Sequence, residues 1–203
     1  MAEVALSQPK ELPVGPVGRH GVGLWGAGTL IATEAALFAY LLFSYYYLGA
    51  TNPRGWLLEP TPTLKLALPN TLLLIVSSGA AWFGEHGILH RKRPQALIGF
   101  GLAFLMGLGF AGVQLLEWHA KSYPLGLSSY SSLYFVTTGF HMAHVVVGLL
   151  VLAALFVWTA LDYFSPRRQL VVSAGVLYWH FVDVIWIFVF TTYYLTPYLG
   201  FAR

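Results

Sequence analysis

Five apolar stretches, each long enough to cross a bilayer, divide this chain and leave it few folds to choose from. They cover roughly residues 22–48, 66–84, 96–117, 130–158 and 170–195. A hydrocarbon core needs ~20 residues of α-helix at ~1.5 Å rise per residue. Transmembrane strands do not fit, because none of the runs shows sustained period-2 alternation. Lipid offers no hydrogen bonds, so each segment has to bond its own backbone, and helices follow. The expected fold class is all-α: a polytopic membrane protein with a bundle of five transmembrane helices in residues 22–203, behind a solvated tail at 1–21. That tail contains three prolines and lacks the apolar core of a signal peptide, so the first run is expected to serve as its own insertion signal.

The connectors are short and polar or proline-rich: TNPRGWLLEPTPTLK, EHGILHRKRP, HAKSYPLGLSS and DYFSPRRQ. No internal repeat or second domain is visible. Only 9% of the residues are charged, against about 25% in soluble domains. The chain has no cysteine. Disulfides, iron–sulfur clusters, thiolate zinc sites and cysteine-ligated copper are thereby excluded. Nothing in the charge pattern suggests nucleic acid.

Orientation follows from lysine and arginine. The tail and the 85–95 and 162–169 connectors fall on one side and carry Lys10, Arg19, Arg91, Lys92, Arg93, Arg167 and Arg168. The other side carries Arg54, Lys65, Lys121 and Arg203. The bias predicts a cytoplasmic N-terminus and a C-terminus outside. Tyr45, Tyr46, Tyr47, Trp56, Tyr193, Tyr194 and Tyr198 crowd the outer end and read as an interfacial aromatic belt.

Ionisable residues inside spanning segments cost ~2.5–3.5 kcal/mol each on insertion scales, so each requires a partner. Glu34 lies in the middle of the first segment, His141 and His144 in the fourth, and His180 and Asp183 in the fifth. Gln114 and Glu117 close the third. Glu34, His144 and Asp183 fall at matching depths. The expected pairing is Glu34 with His144, with Asp183 bound to His180 or to a neighbouring helix. On that basis Asp183→Leu is expected to weaken assembly. His180 and Asp183 suit either helix-to-helix bonding or a direct role in handling protons or a ligand. His141 and His144 share a helix face at a spacing that two ligands of one metal ion can have, but Glu34 is the sole candidate third ligand, and no metal is expected. Trp179 and Trp186, seven apart, read as packing residues. Gly26, Gly28, Gly99, Gly101, Gly107, Gly109 and Gly112 read as points of close helix approach.

The same residues carry a family resemblance. YWHFVDVIWIFVF resembles the last-helix signature of subunit III of haem–copper oxidases, which include cytochrome c and quinol oxidases. TEAALFAYLLFSYYY, with Glu34, resembles the family's early helix with its embedded glutamate. GVQLLEWH resembles its Gln114 and Glu117 pair, and TTGFHMAHVVVGLL its Thr-Gly-Phe-His-x-x-His block, here with His141 and His144. The four blocks occur in the family's order over about residues 22–195. Longer members have seven spanning helices; this chain resembles the five-helix bacterial form.

The resemblance implies an accessory subunit of an aerobic respiratory oxidase that reduces O2 to water with proton pumping. It implies haem and copper held by subunits I and II, no redox centre on this chain, bound phospholipid, a bacterial inner membrane, and compatibility with a respiratory supercomplex. It also implies that this chain stabilises the catalytic subunit and supports proton uptake and oxygen access. Glu34 matches the family's carbodiimide-reactive carboxyl. A five-helix companion of nitric oxide reductases shares these blocks, and an independent proton or solute transporter is a reading from another class.

Overall fold

The computed structural model describes residues 22–52, 55–58, 62–165 and 169–201. Five α-helices follow in order: α1, Val22–Thr51; α2, Leu64–Leu89; α3, Arg93–Ala120; α4, Ser129–Ala160; and α5, Leu170–Phe190. A five-residue π-helical turn, Thr191–Leu195, extends α5. All five segments are long and apolar enough to cross a membrane, and no strand occurs among the described residues.

The helices run past the limits that hydropathy sets. The second was expected to end at residue 84, followed by the ten-residue connector EHGILHRKRP. Instead α2 continues to Leu89 and α3 begins at Arg93, leaving three residues between them. The apolar run marks where hydrocarbon ends, whereas backbone bonding continues through the interface. The turn closes as a Schellman motif: Lys92 N–H donates to Gly87 O (2.8 Å), Arg91 N–H donates to Ile88 O (3.2 Å), and Arg91 takes a φ of 57°. The end of α4 repeats the device with Asp162 at φ 61°. There Tyr163 N–H donates to Trp158 O (3.0 Å) and Asp162 N–H to Thr159 O (3.1 Å). Arg93, at the start of α3, donates from Nε to Thr159 O (3.1 Å) and from its terminal nitrogen to Ala160 O. The guanidinium thus satisfies carbonyls at the negative end of α4. At the other end of α4, Ser128 and Ser131 form a reciprocal capping box.

α2 and α3 form a tight hairpin. A Cβ on Gly99 would stand 2.4 Å from the Gly84 backbone nitrogen, and one on Gly87 would stand 2.6 Å from that of Ala96. Of the seven glycines expected to mark close approach, Gly99 and Gly107 do so. Gly26, Gly28 and Gly112 have open space beside them, and Gly101 and Gly109 meet only side chains at 3.4 and 3.3 Å. Single-sequence reading cannot say which way a helical glycine faces.

Trp179 of α5 is the centre of the bundle. It is fully buried, and its indole fills a slot bounded by Gly107 of α3 and Gly148 of α4. A Cβ at those glycines would lie 2.7 and 2.5 Å from the ring. Trp179 Nε1–H donates to Ser77 Oγ of α2 (3.1 Å), and Trp186 Nε1–H donates to Thr71 Oγ1 of α2 (3.0 Å). α5 packs against α1, α2 and α4.

The aromatic residues at the C-terminal end are not all a belt. Tyr46, Tyr47 and Tyr198 are exposed, but Tyr45, Trp56, Tyr193 and Tyr194 are buried. Tyr45 bonds Thr196 (3.0 Å) and Tyr193 bonds Thr137 (3.1 Å). The Tyr45 and Tyr193 rings meet edge to face at 4.9 Å. Each phenol finds a hydroxyl partner, which lets it enter the core.

Candidate functional site

Two polar seams run between helices at membrane depth. The first joins α1 and α4. His144 Nε2 lies 3.1 Å from Glu34 Oε2, the pairing that depth matching predicts. His144 Nδ1 lies 2.7 Å from Phe140 O. A carbonyl only accepts, so Nδ1 carries a hydrogen and Nε2 faces the carboxyl. One further proton therefore occupies the Nε2–Oε2 line, whether it rests on the carboxyl or on the ring. Phe38 packs edge-on to the imidazole at 5.2 Å, and Tyr178 OH donates to His144 O at 3.4 Å. The pair keeps some access to its surroundings: the side chains of His144 and Glu34 are 14% and 30% exposed.

His141 does not join this pair. It is buried, and its Nε2–H donates to Val182 O of α5 at 3.2 Å. Its ring lies against Trp186 at 4.8 Å and against Phe110 at 5.8 Å. The two histidines that share a helix face thus serve different neighbours, each with one nitrogen on a backbone carbonyl. Among the described residues no group of three or more His, Cys, Asp or Glu is placed to hold a metal.

The second seam joins α2 and α5. His180 Nδ1 bonds Ser78 Oγ, and Ser173 Oγ–H donates to Glu85 Oε1 at 2.6 Å. Of the two expected neighbours of Asp183, His180 is not its partner, and the Asp183 carboxyl lies beside the Ser78 hydroxyl of the neighbouring helix α2. Asp183 is 5% exposed, and its carboxyl stays short of a well-formed hydrogen bond to that hydroxyl. The imidazole of His180 reaches across to α2 instead, and the short aspartate side chain stays in the packed interior. Glu85 escaped the sequence reading because it stood in a supposed connector. Helical spacing from Ser78, seven residues earlier on the same face, would have revealed it.

At the other end of the bundle, Tyr194 OH donates to Glu117 Oε1, and Tyr134 OH lies 3.2 Å from Tyr194 OH. The π-helical turn sets this position: Thr196 N–H bonds Thr191 O (3.1 Å), five residues back. Lys121 Nζ stands 5.1 Å from the Tyr134 ring centre. Gln114 is buried beside this group, next to the Tyr134 hydroxyl.

The model of the family described as cytochrome c oxidase subunit III matches residues 19–198. The chain belongs to the cytochrome c oxidase subunit III family. It is 31% identical over 179 residues to cytochrome c oxidase subunit 3 of Gallus gallus, covering 84% of this chain and 68% of that one. It is 29% identical over 177 residues to the Danio rerio protein of that name, with the same coverages. The protein of that name from Pyricularia grisea is 30% identical over 179 residues, covering 83% of this chain and 65% of its own length. The subunit III match includes both polar seams, the Trp179 slot and the Tyr194–Glu117 contact.

Proposed function

We propose that this chain is the accessory subunit III of an aerobic respiratory haem–copper oxidase, which reduces O2 to water and pumps protons. It braces the catalytic subunit, supports proton uptake and oxygen access, and holds no redox centre. Subunits I and II carry the haems and copper and are its partners, together with phospholipid. The setting is a bacterial inner membrane, with the N-terminal end of α1 on the cytoplasmic side. Of the charges behind that orientation, Arg91, Lys92 and Arg93 cluster at the α2–α3 turn. Lys10, Arg19, Arg54, Arg167, Arg168 and Arg203 lie outside the described residues.

The observation that carries this reading is the family match across residues 19–198, with the Glu34–His144 pair formed inside it. The residue types agree with redox centres lying elsewhere. There is no cysteine in the chain, and each of the three histidines in the middle of α4 and α5 has a ring nitrogen bonded to protein. The Glu34–His144 pair supports a part in proton handling, because a carboxyl and an imidazole share a hydrogen bond there and stay partly accessible.

An oxidase prepared without this chain is expected to start turnover at a near-normal rate and to lose activity several-fold sooner. An unchanged lifetime would contradict the bracing role. Glu34→Gln keeps a hydrogen-bonding group opposite His144, so the complex is expected to assemble at a near-normal level. Loss of the chain from the purified oxidase would show that the carboxyl itself holds the bundle.

A further inference from the structure

A cavity of about 300 Å³ opens at the end of the bundle where α2 and α4 stop. Ile88, Arg91 and Arg93 line it from the α2–α3 turn, and Thr159, Asp162 and Ser165 line it from the end of α4 and the segment beyond. Arg91 and Asp162 are exposed. Arg93 is anchored: two of its nitrogens hold the Thr159 and Ala160 carbonyls, which leaves the third for a ligand. The cavity thus presents two guanidinium groups, one carboxylate and hydroxyls. Trp158 and Phe164 meet edge to face at 6.2 Å beside it. Aromatic rings in this position mark the headgroup layer of a membrane.

An apolar groove runs deeper from this end, between α3 and α4. It measures about 290 Å³ and is lined by Gly101, Phe104, Leu105, Ala153, Phe156 and Val157. Along α3, Arg93, Leu97, Gly101 and Leu105 recur every four residues and share one face. Gly101 lies two helical turns, about 12 Å, deeper than Arg93. On the other wall, the Ala160 carbonyl that Arg93 holds stands just past Val157, at the same end of the groove. Arg93 therefore belongs to the polar cavity and heads the apolar groove.

Guanidinium groups suit a phosphate, which accepts several charge-assisted hydrogen bonds. The Asp162 carboxylate repels a second negative charge and attracts an ammonium. A phosphate joined to a primary amine at one end and to acyl chains at the other meets every one of these surfaces. We infer that the cavity seats the headgroup of one phosphatidylethanolamine, with its phosphate on Arg91 and Arg93, its amine on Asp162, and one acyl chain in the α3–α4 groove. This rests on the phospholipid partnership proposed above and not on the oxidase assignment, which stands whatever the lipid result.

Photolabelling tests the assignment. The complex that contains this chain is purified in mild detergent, mixed with phosphatidylethanolamine bearing a diazirine in one acyl chain, and irradiated. Labelled peptides are mapped by mass spectrometry, with Phe188, an exposed residue of α5, as the reference for unspecific contact. Leu105 and Phe156 are expected to label about five-fold above Phe188, and Arg91→Gln to remove that excess, since one basic residue at a headgroup changes affinity by about that factor. Unlabelled phosphatidylethanolamine is expected to compete, whereas phosphatidylglycerol, phosphatidylcholine and inorganic phosphate are expected not to. Asp162→Asn removes the repulsion, so phosphatidylglycerol is then expected to compete as well as phosphatidylethanolamine does. Groove labelling no higher than at Phe188, or unchanged in Arg91→Gln, would overturn the site. Displacement by inorganic phosphate would show a free-anion site and overturn the lipid. Equal competition by phosphatidylglycerol or phosphatidylcholine in the wild type would overturn the contact of the amine with Asp162.

Discussion

A Gly99→Ala chain, purified in mild detergent, is expected to unfold about 6–12 °C below the wild type, which corresponds to about 3 kcal/mol. The new Cβ would lie 2.4 Å from Gly84 N, 2.5 Å from Gly84 Cα and 2.7 Å from Ala80 O. All three are backbone atoms of α2, so no rotamer change relieves the clash. The α2–α3 hairpin has to part, and the slot that receives Trp179 opens with it. Gly112→Ala is the control: it lies on the same helix with open space beside it. Its midpoint is expected to stay level or rise, because alanine is the better helix former by about 1 kcal/mol. Equal behaviour of the two variants, read as thermal midpoints by circular dichroism, would refute the close backbone packing.

Trp179→Ala is expected to cost about 3–5 kcal/mol and to release this chain from the purified complex. The indole touches α3 and α4 at two glycines and bonds α2 through Ser77. Those glycines bring no side chain of their own to fill the slot. Lipid is as apolar as the bundle core, so the loss is of packing contacts rather than of burial from water. Trp179→Phe keeps most of the ring and loses the bond to Ser77, so about 1–2 kcal/mol is expected. Retention of the chain in the complex and its thermal midpoint distinguish the two substitutions. An alanine variant as stable as the phenylalanine one would remove Trp179 from the centre of the account.

The number of helices was legible because a bilayer imposes one length on every spanning segment. Their ends were not, since α2 bonds its backbone through Glu85 and His86 after its hydropathy has fallen. Glu34 and His144 could be paired from depth, because Glu34 is the one carboxyl in the middle of α1 and His144 lies at its level in α4. Depth did not say which neighbour Asp183 meets. Two polar groups three residues apart on α5 look like natural partners, yet the rotamer of His180 sends its ring to Ser78 on α2. The tyrosines at the C-terminal end misled for a related reason. Composition places Tyr193 and Tyr194 at an interface, and the hydroxyls of Thr137 and Tyr134 on α4, with the Glu117 carboxyl on α3, explain why they turn inward. The family resemblance was legible in four short blocks because those blocks hold the residues that touch between helices.

The most direct measurement is the metal and subunit content of the complex that this chain enters in its own membrane. Solubilised gently and purified by a tag on this chain, the preparation is expected to contain it in one-to-one ratio with a larger subunit. That subunit is expected to carry two haems and a copper ion, while the isolated chain binds neither. A preparation with non-haem iron in place of copper, or a haem or copper ion held by side chains of this chain, would contradict the account.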